Sequence, residues 1–171
     1  MRKLFDIGTP DRQMKGRILR RDSARAIIIS DGRVAMVHSL KYDYYKFPGG
    51  GIEQGESVQE ALIRETLEEA GLRVIPESVR EYGVVRRREP RNRKYDYFLQ
   101  DNFYYLCDAY PGVAQQDLDD YESDERFTLE YVDPAAAAEV NLTGNHGPKS
   151  PVMLEREARV LQLLMKEGYF G

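Results

Sequence analysis

Three glutamates, Glu65, Glu68 and Glu69, stand within one helical turn of each other, directly after Arg64. At ~100° per residue they fall on one side of a helix, leaving Ile63, Leu67 and Ala70 on the opposite side to pack against a sheet. Like charges this close repel and weaken a helix unless a cation sits among them. Hard divalent cations take oxygen ligands, and Mg²⁺ keeps several waters while sharing the oxygens of a substrate phosphate. Arg64, planar and always charged, is suited to hold a neighbouring carboxylate in one rotamer. An acidic run alone is ordinarily a solvated helix face. Register removes this one from that class, because Gly50, Glu56, Arg64 and Gly71 stand at fixed intervals around it.

The pattern is G-x5-E-x7-R-E-x-x-E-E-x-G followed by an aliphatic residue, running from Gly50 to Leu72. Seven such matches in register arise by chance on the order of once in 10⁸ starts, so coincidence is set aside. The run resembles the Nudix box of the MutT/Nudix hydrolases. Thr66 departs from it, standing where an aliphatic residue is usual, and reads as a packing variation.

The resemblance implies an α/β fold, a Nudix-type α/β/α sandwich with a mixed β-sheet between helices. It implies a Mg²⁺ or Mn²⁺ ion held by the Gly50 carbonyl with Glu56, Glu65, Glu68 and Glu69. The catalytic set would be Glu65, Glu68 and Arg64 with one further acid from a later loop. The segment Asp117–Asp133 offers many; Glu125, just before a strand, is chosen over Glu122. The implied reaction cleaves a pyrophosphate bond in a nucleoside diphosphate linked to another moiety: a nucleoside triphosphate, a nucleotide sugar, ADP-ribose or similar. A non-catalytic Nudix-like nucleotide sensor is the alternative, and such modules commonly lack box carboxylates that are all present here.

These side chains need elements to place them. Ser57 with Glu60 three residues later is a capping box that starts a helix over 57–70, and Gly71 suits the left-handed residue just past its end. Upstream, Tyr44 to Phe47 is a short strand running into the turn Phe47-Pro48-Gly49-Gly50-Gly51, where glycines admit close backbone approach. Ala24–Ser30 and Arg33–His38 pair across a hairpin turn at Asp31-Gly32. Leu72–Arg88, Tyr95–Cys107 and Phe127–Val132 are further strand material. Ser150-Pro151 opens a last helix that ends at Gly168. Residues 1–22 form a basic lead-in with a strand at Lys15 to Arg20, and 23–168 the Nudix hydrolase domain.

Composition bounds the rest. The 171 residues suffice for one domain with a proper core, and the net charge of −4 argues against nucleic acid as a partner. A small nucleotide-type molecule is the expected partner, and a homodimer is admitted. The first residues lack the apolar stretch of a secretion signal, no segment is long enough to cross a membrane, and cytoplasm is the expected compartment. The single cysteine, Cys107, sits in an apolar run as a structural thiol. His38 and His146 have no partner at ligand spacing and read as structural. Substrate contacts are expected from Tyr42, Tyr44 and Phe47 by stacking. Arg87 and Arg91, within the basic run Arg86 to Lys94 that also holds Arg93, would meet phosphates, although a solvated hairpin tip is the commoner fate of such a run. The chain has no tryptophan for the motif that follows the box in NADH pyrophosphatases, and Pro90 stands slightly late for the proline of ADP-ribose pyrophosphatases. The tyrosine of dinucleoside polyphosphate hydrolases is out of register, and Cys107 lies far past the cysteine of isopentenyl diphosphate isomerases.

Overall fold

The computed structural model describes residues 1–91 and 94–171. Its strands are β1 (Lys3–Gly8), β2 (Ile18–Arg20), β3 (Ser23–Ile27), β4 (Ile29–Ser30), β5 (Arg33–Ser39), β6 (Tyr44–Lys46), β7 (Gly49–Gly51), β8 (Arg80–Pro90), β9 (Tyr97–Leu106) and β10 (Phe127–Val132). The helices are α1 (Val58–Ala70), α2 (Asp120–Asp124), α3 (Pro134–Leu142) and α4 (Pro151–Lys166). The fold is the expected α/β sandwich, with its strand layer divided in two. A mixed six-stranded sheet runs β1-β8-β9-β3-β7 with β2 beside β9, and a four-stranded antiparallel sheet runs β10-β5-β4 with β6 on β5. Among the described residues no helix is long and apolar enough to cross a membrane.

Burial on both faces of β3 and β5 explains their largely apolar runs. Side chains alternate along a strand. On β3 and β5, Ala24, Ala26, Ala35 and Val37 join the core under α1, whereas Ile27, Val34 and Met36 join the core under α3 and α4. Arg25 falls on this second side, and that placement decides much of the site. Helix α3, which nothing in the sequence reading assigned, starts on Asp133 with Pro134 at its first position, a start signal that is legible in hindsight. It is docked by Asn141, whose side chain accepts from Tyr45 N at 2.8 Å and donates to Tyr45 O at 2.7 Å, standing in for a strand neighbour of β6.

The lead-in contributes two strands. The expected one appears as β2, but β1 was missed, and it pairs in parallel with β8. Its alternation is weak because only Ile7 is fully buried. Cys107 is buried in the core, and burial pushes its thiol up to about 12, as suits a structural cysteine.

Helix α1 has its capping box at Ser57 and Glu60 and its left-handed end at Gly71. Its buried face differs from the expected one: Ala61, Leu62, Thr66, Glu69 and Ala70 are inside, while Ile63 and Leu67 are only half-buried. Spacing of four and three residues through Leu62, Thr66 and Glu69 makes this row contiguous. Glu69 is thereby carried inward, away from Glu65 and Glu68. Thr66 is fully buried, and its hydroxyl has no hydrogen-bond partner among the described residues. An orphaned buried hydroxyl costs about 1–3 kcal/mol. Thr66→Val keeps the shape and removes the orphan, so urea unfolding should show a gain of about 1 kcal/mol. Unchanged or reduced stability would mean that the hydroxyl is satisfied.

Candidate active site

The site forms where β6 and β7 meet the second half of α1. Gly49 has φ 142°, and a Cβ there would lie 2.0 Å from the Ala24 carbonyl oxygen, so only glycine lets β7 pair this closely with β3. Gly50 serves differently. A Cβ on it would sit 2.4 Å from Glu65 Oε2, which means that the Glu65 carboxylate rests against the bare backbone of the loop.

Arg64 gathers the acids. Its Nε and Nη2 donate to the two oxygens of Glu56 at 2.7 and 2.9 Å, a bidentate fork. Nη1 donates to Glu65 Oε1 at 2.8 Å and to Glu68 Oε2 at 3.2 Å, and Nη2 also reaches the Gly51 carbonyl at 3.1 Å. The hydrogen bond from Arg64 holds the Glu56 carboxyl below the usual carboxylate range, and the acids in turn hold Arg64 firmly protonated. Partial burial pushes Glu68 up, with the charges of Glu65 and Asp117 adding to it.

Glu69 stands apart on the buried side of α1. Lys46 Nζ donates to its Oε2 at 2.6 Å and Gly49 N to its Oε1 at 3.3 Å. Burial outweighs the attraction of Lys46 and Arg25 and pushes the Glu69 carboxyl up to about 7. A cleft of about 420 Å³ lies over these groups, lined by the glycine loop, Arg64, Glu65, Glu68 and Glu69 and, across from them, Asp117, Asp119 and Glu122.

Gly50, Glu65, Glu68, Glu69 and Arg64 therefore share one cleft, with Glu56 tied to it through Arg64. Glu125 is placed elsewhere. It is buried, accepts from Ser39 Oγ at 2.9 Å and Tyr44 OH at 2.7 Å, and pairs with Lys149. Glu122, from the same acidic segment, lines the cleft because the Asp119/Glu122 capping box begins α2 there.

Of the aromatic candidates, Phe47 is fully buried and packs edge-on to Tyr104 at 5.5 Å, which leaves no ring face for a base. Tyr44 is buried edge-on to Phe127, and Tyr42 is half-buried under the ammonium groups of Lys41 and Lys149. His38 stacks on Tyr45 and bonds Glu130 and Asp43 at 2.8 Å, while His146 bonds the Tyr42 carbonyl.

The basic run is divided by strand alternation, since Arg86 to Arg88 lie within β8 and not at a hairpin tip. Arg86 binds Asp101 through two hydrogen bonds and Arg88 lies near Asp6 and Asp11, whereas Arg87 faces a second cavity, which adjoins the cleft. Arg91 is exposed beside Phe98, and Arg93 lies outside the described residues. Lys46, Arg25 and Arg156, which the sequence reading passed over, also line that second cavity.

The fit to a divalent cation is one of chemistry, not of finished geometry. The donors are hard oxygens, and Gly50 leaves room for Glu65 beside the loop carbonyls. Yet among the described residues no three acidic, imidazole or thiol side chains already surround one point. Arg64 and Lys46 hold the carboxylates in their place.

The NUDIX domain family matches residues 19–154 of the chain, and the chain belongs to that family. Members of the family generally use divalent metals. An RNA pyrophosphohydrolase of Baumannia cicadellinicola subsp. Homalodisca coagulata is 42% identical over 50 residues, which are 29% of this chain and 30% of that protein. The chain thus spans less than a third of that relative's length. Among solved structures, a MutT from a study of Aliivibrio salmonicida and Vibrio cholerae superposes with a TM-score of 0.56 at 19% identity, covering 87% of this chain and 99% of that one. A NUDIX hydrolase from Nitrosomonas europaea gives 0.54 at 19% identity, covering 84% and 90%. At these identities the likeness is one of fold.

Gly50→Ala tests the cradle with little cost to folding, because the atom displaced is the mobile end of Glu65 and Gly50 does not have a left-handed backbone. The variant should melt close to the parent and bind Mn²⁺ at least about tenfold more weakly by calorimetry, the loss expected when one ligand is misplaced. Parent-like affinity would show that Glu65 is not positioned through Gly50.

Proposed function

We propose that this protein hydrolyses the pyrophosphate bond of a nucleoside diphosphate linked to another moiety, using Mg²⁺ or Mn²⁺. The observation that carries this reading is the convergence of Glu65, Glu68 and the Gly50 backbone in one cleft, with Arg64 fanned across the acids. Gly50, Glu65, Glu68 and Glu69 would hold the cation, with Glu56 orienting through Arg64. When bound, the ion neutralises phosphate charge and makes water a better nucleophile.

The chain's own groups do the rest. Arg64 fixes the rotamers of Glu56 and Glu65, a task for its planar fork. Glu68 is the proton acceptor we assign. Among the box acids it is open to the cleft and keeps a single long hydrogen bond, and its raised pKa suits a general base. Glu122 takes the role of the later acid in preference to Glu125, because it lines the cleft. Glu69 would have to give up its proton to hold the ion.

The deciding experiment screens nucleoside triphosphates, nucleotide sugars, ADP-ribose and dinucleoside polyphosphates with chelator and then with Mg²⁺ or Mn²⁺. Turnover should need the metal, and Glu68→Gln should lower kcat by about 10²–10⁴ with the fold intact. Arg64→Lys should also impair turnover although charge is kept. Tight nucleotide binding without turnover of any compound would favour the sensor reading.

A pH dependence follows from Glu69. Its proton is held up to about pH 7, so a cation must displace it below that pH and need not above it. Apparent Mn²⁺ affinity should therefore fall by about tenfold from pH 8 to pH 6. Glu69→Gln should flatten that slope, and an equal slope in the variant would exclude Glu69 as its source.

A further inference from the structure

On the α4 side of the glycine loop, a cavity of about 140 Å³ is lined by Arg25, Lys46, Arg87, Lys149 and Arg156, with Gln100 among its polar groups. Its other walls are aromatic rings and Met153; among the described residues no carboxylate lines it. Four of the five cations are paired with carboxylates that do not line the cavity: Lys46 with Glu69, Arg87 with Glu89, Lys149 with Glu125 and Arg156 with Glu157.

Arg25 is the exception. It is only 7% exposed and makes no ion pair with a carboxylate among the described residues. Its Nε donates to Ser23 Oγ at 3.3 Å and its Nη1 to the Gly49 carbonyl at 2.9 Å, while Nη2 has no hydrogen-bond partner there. Arg156, 1% exposed, bonds Gln100 and Asn102 through Nη1, yet its buried Nε is also unpartnered. Burial together with the charges of Arg156 and Arg25 pushes the Arg87 guanidinium down to about 10.

Guanidinium groups buried side by side are costly unless an anion joins them. Their planar forks match the oxygens of a phosphate. The volume equals about five waters at ~30 Å³ each, which admits one phosphate-sized group. The cavity shares Arg25, Lys46, Gln100 and Tyr121 with the acid-lined cleft, so one molecule can occupy both.

We propose that this cavity is a subsite for a second anionic group of the substrate, a phosphomonoester carried on the arm beyond the scissile pyrophosphate. The proposal rests on the hydrolase reading above and narrows it. The preferred substrates are phosphorylated dinucleotides or similar diphosphates, in preference to their unphosphorylated counterparts.

Two measurements test it. The first is thermal unfolding with chelator and inorganic phosphate. Without metal the acidic cleft repels phosphate, so stabilisation reports the cationic cavity. Saturating phosphate should raise the Tm by about 2–4 °C, and Arg25→Gln and Arg87→Gln should each lose the rise. Arg87 is the less buried of the two, so its variant decides the matter if Arg25→Gln fails to fold. No rise in the parent, or an equal rise in the variants, overturns the proposal.

The second compares binding and turnover for pairs that differ by one phosphate: NADP and NAD, ADP-ribose 2′-phosphate and ADP-ribose, coenzyme A and its 3′-dephospho form. The phosphorylated member should bind and turn over at least about tenfold better, the scale of one charge-assisted contact, and Arg25→Gln should bring the pair to near parity. Equal behaviour within every pair, with the phosphate effect intact, means that free phosphate alone occupies the cavity and overturns the substrate assignment. Tighter binding of the phosphorylated members without turnover of any leaves the subsite standing and overturns the hydrolase reading instead.

Discussion

The fan of Arg64 across Glu56, Glu65 and Glu68 is the interaction on which the site depends. Glu65 and Glu68 lie within one turn of α1 and Glu56 lies just before its start, so without a cation they would repel one another and weaken that helix. One guanidinium, with five donors in a fixed plane, satisfies all three and the Gly51 carbonyl as well. The helix is thus stable without metal, and the acids are already near the positions that a metal would require. A lysine in the same place would supply charge without the fork.

Strand alternation distributes charge between the two halves of the site. Successive residues on β3 and β8 point to opposite faces, so Arg25 and Arg87 reach the α4 side while Ala24 and Ala26 join the core under α1 and Arg86 and Arg88 turn to Asp101, Asp6 and Asp11. Carboxylates come from α1 and the 117–122 segment, and the cations facing them from β3, β6, β8, α4 and the loop before it, with Arg64 alone among the acids on α1. The two sets meet at Lys46, which lines both cavities and pairs with Glu69.

Much of this was legible in the sequence. The box residues, the capping box at Ser57 and the turn at Gly71 are local signals, and local signals survive folding. What failed to read was the tertiary content. Glu69 looked like a third exposed acid, but the apolar row through Leu62 and Thr66 carries it inward. Glu125 and Glu122 are three residues apart with the same chemistry, and only the turn of α2 decides which faces the cleft. Arg86 to Arg88 end a stretch legible as a strand, yet the run read as the edge of a solvated tip. Which of them meets an acid and which a cavity depends on the register with β9. Lys46 carries one further cue: it shares a face with Tyr44 on a strand that leads straight into the glycine loop.

Most charges of the site are paired within the chain, acids with Arg64 and Lys46 and cations with Glu89, Glu125 and Glu157, and among the described residues Arg25 is left without a carboxylate. A buried ion pair broken by loss of one partner is strongly destabilising, whereas exchange of partners is not. In the proposed reaction a metal–phosphate ligand brings both signs together. Glu65 and Glu69 would then pass from Arg64 and Lys46 to the cation, and Arg64 and Lys46 would be free to meet the phosphates. Binding of such a ligand would be a partner exchange at nearly constant local charge. A bare metal ion or a bare anion completes only half of that exchange, which is a physical reason for a site of this kind to prefer the two together.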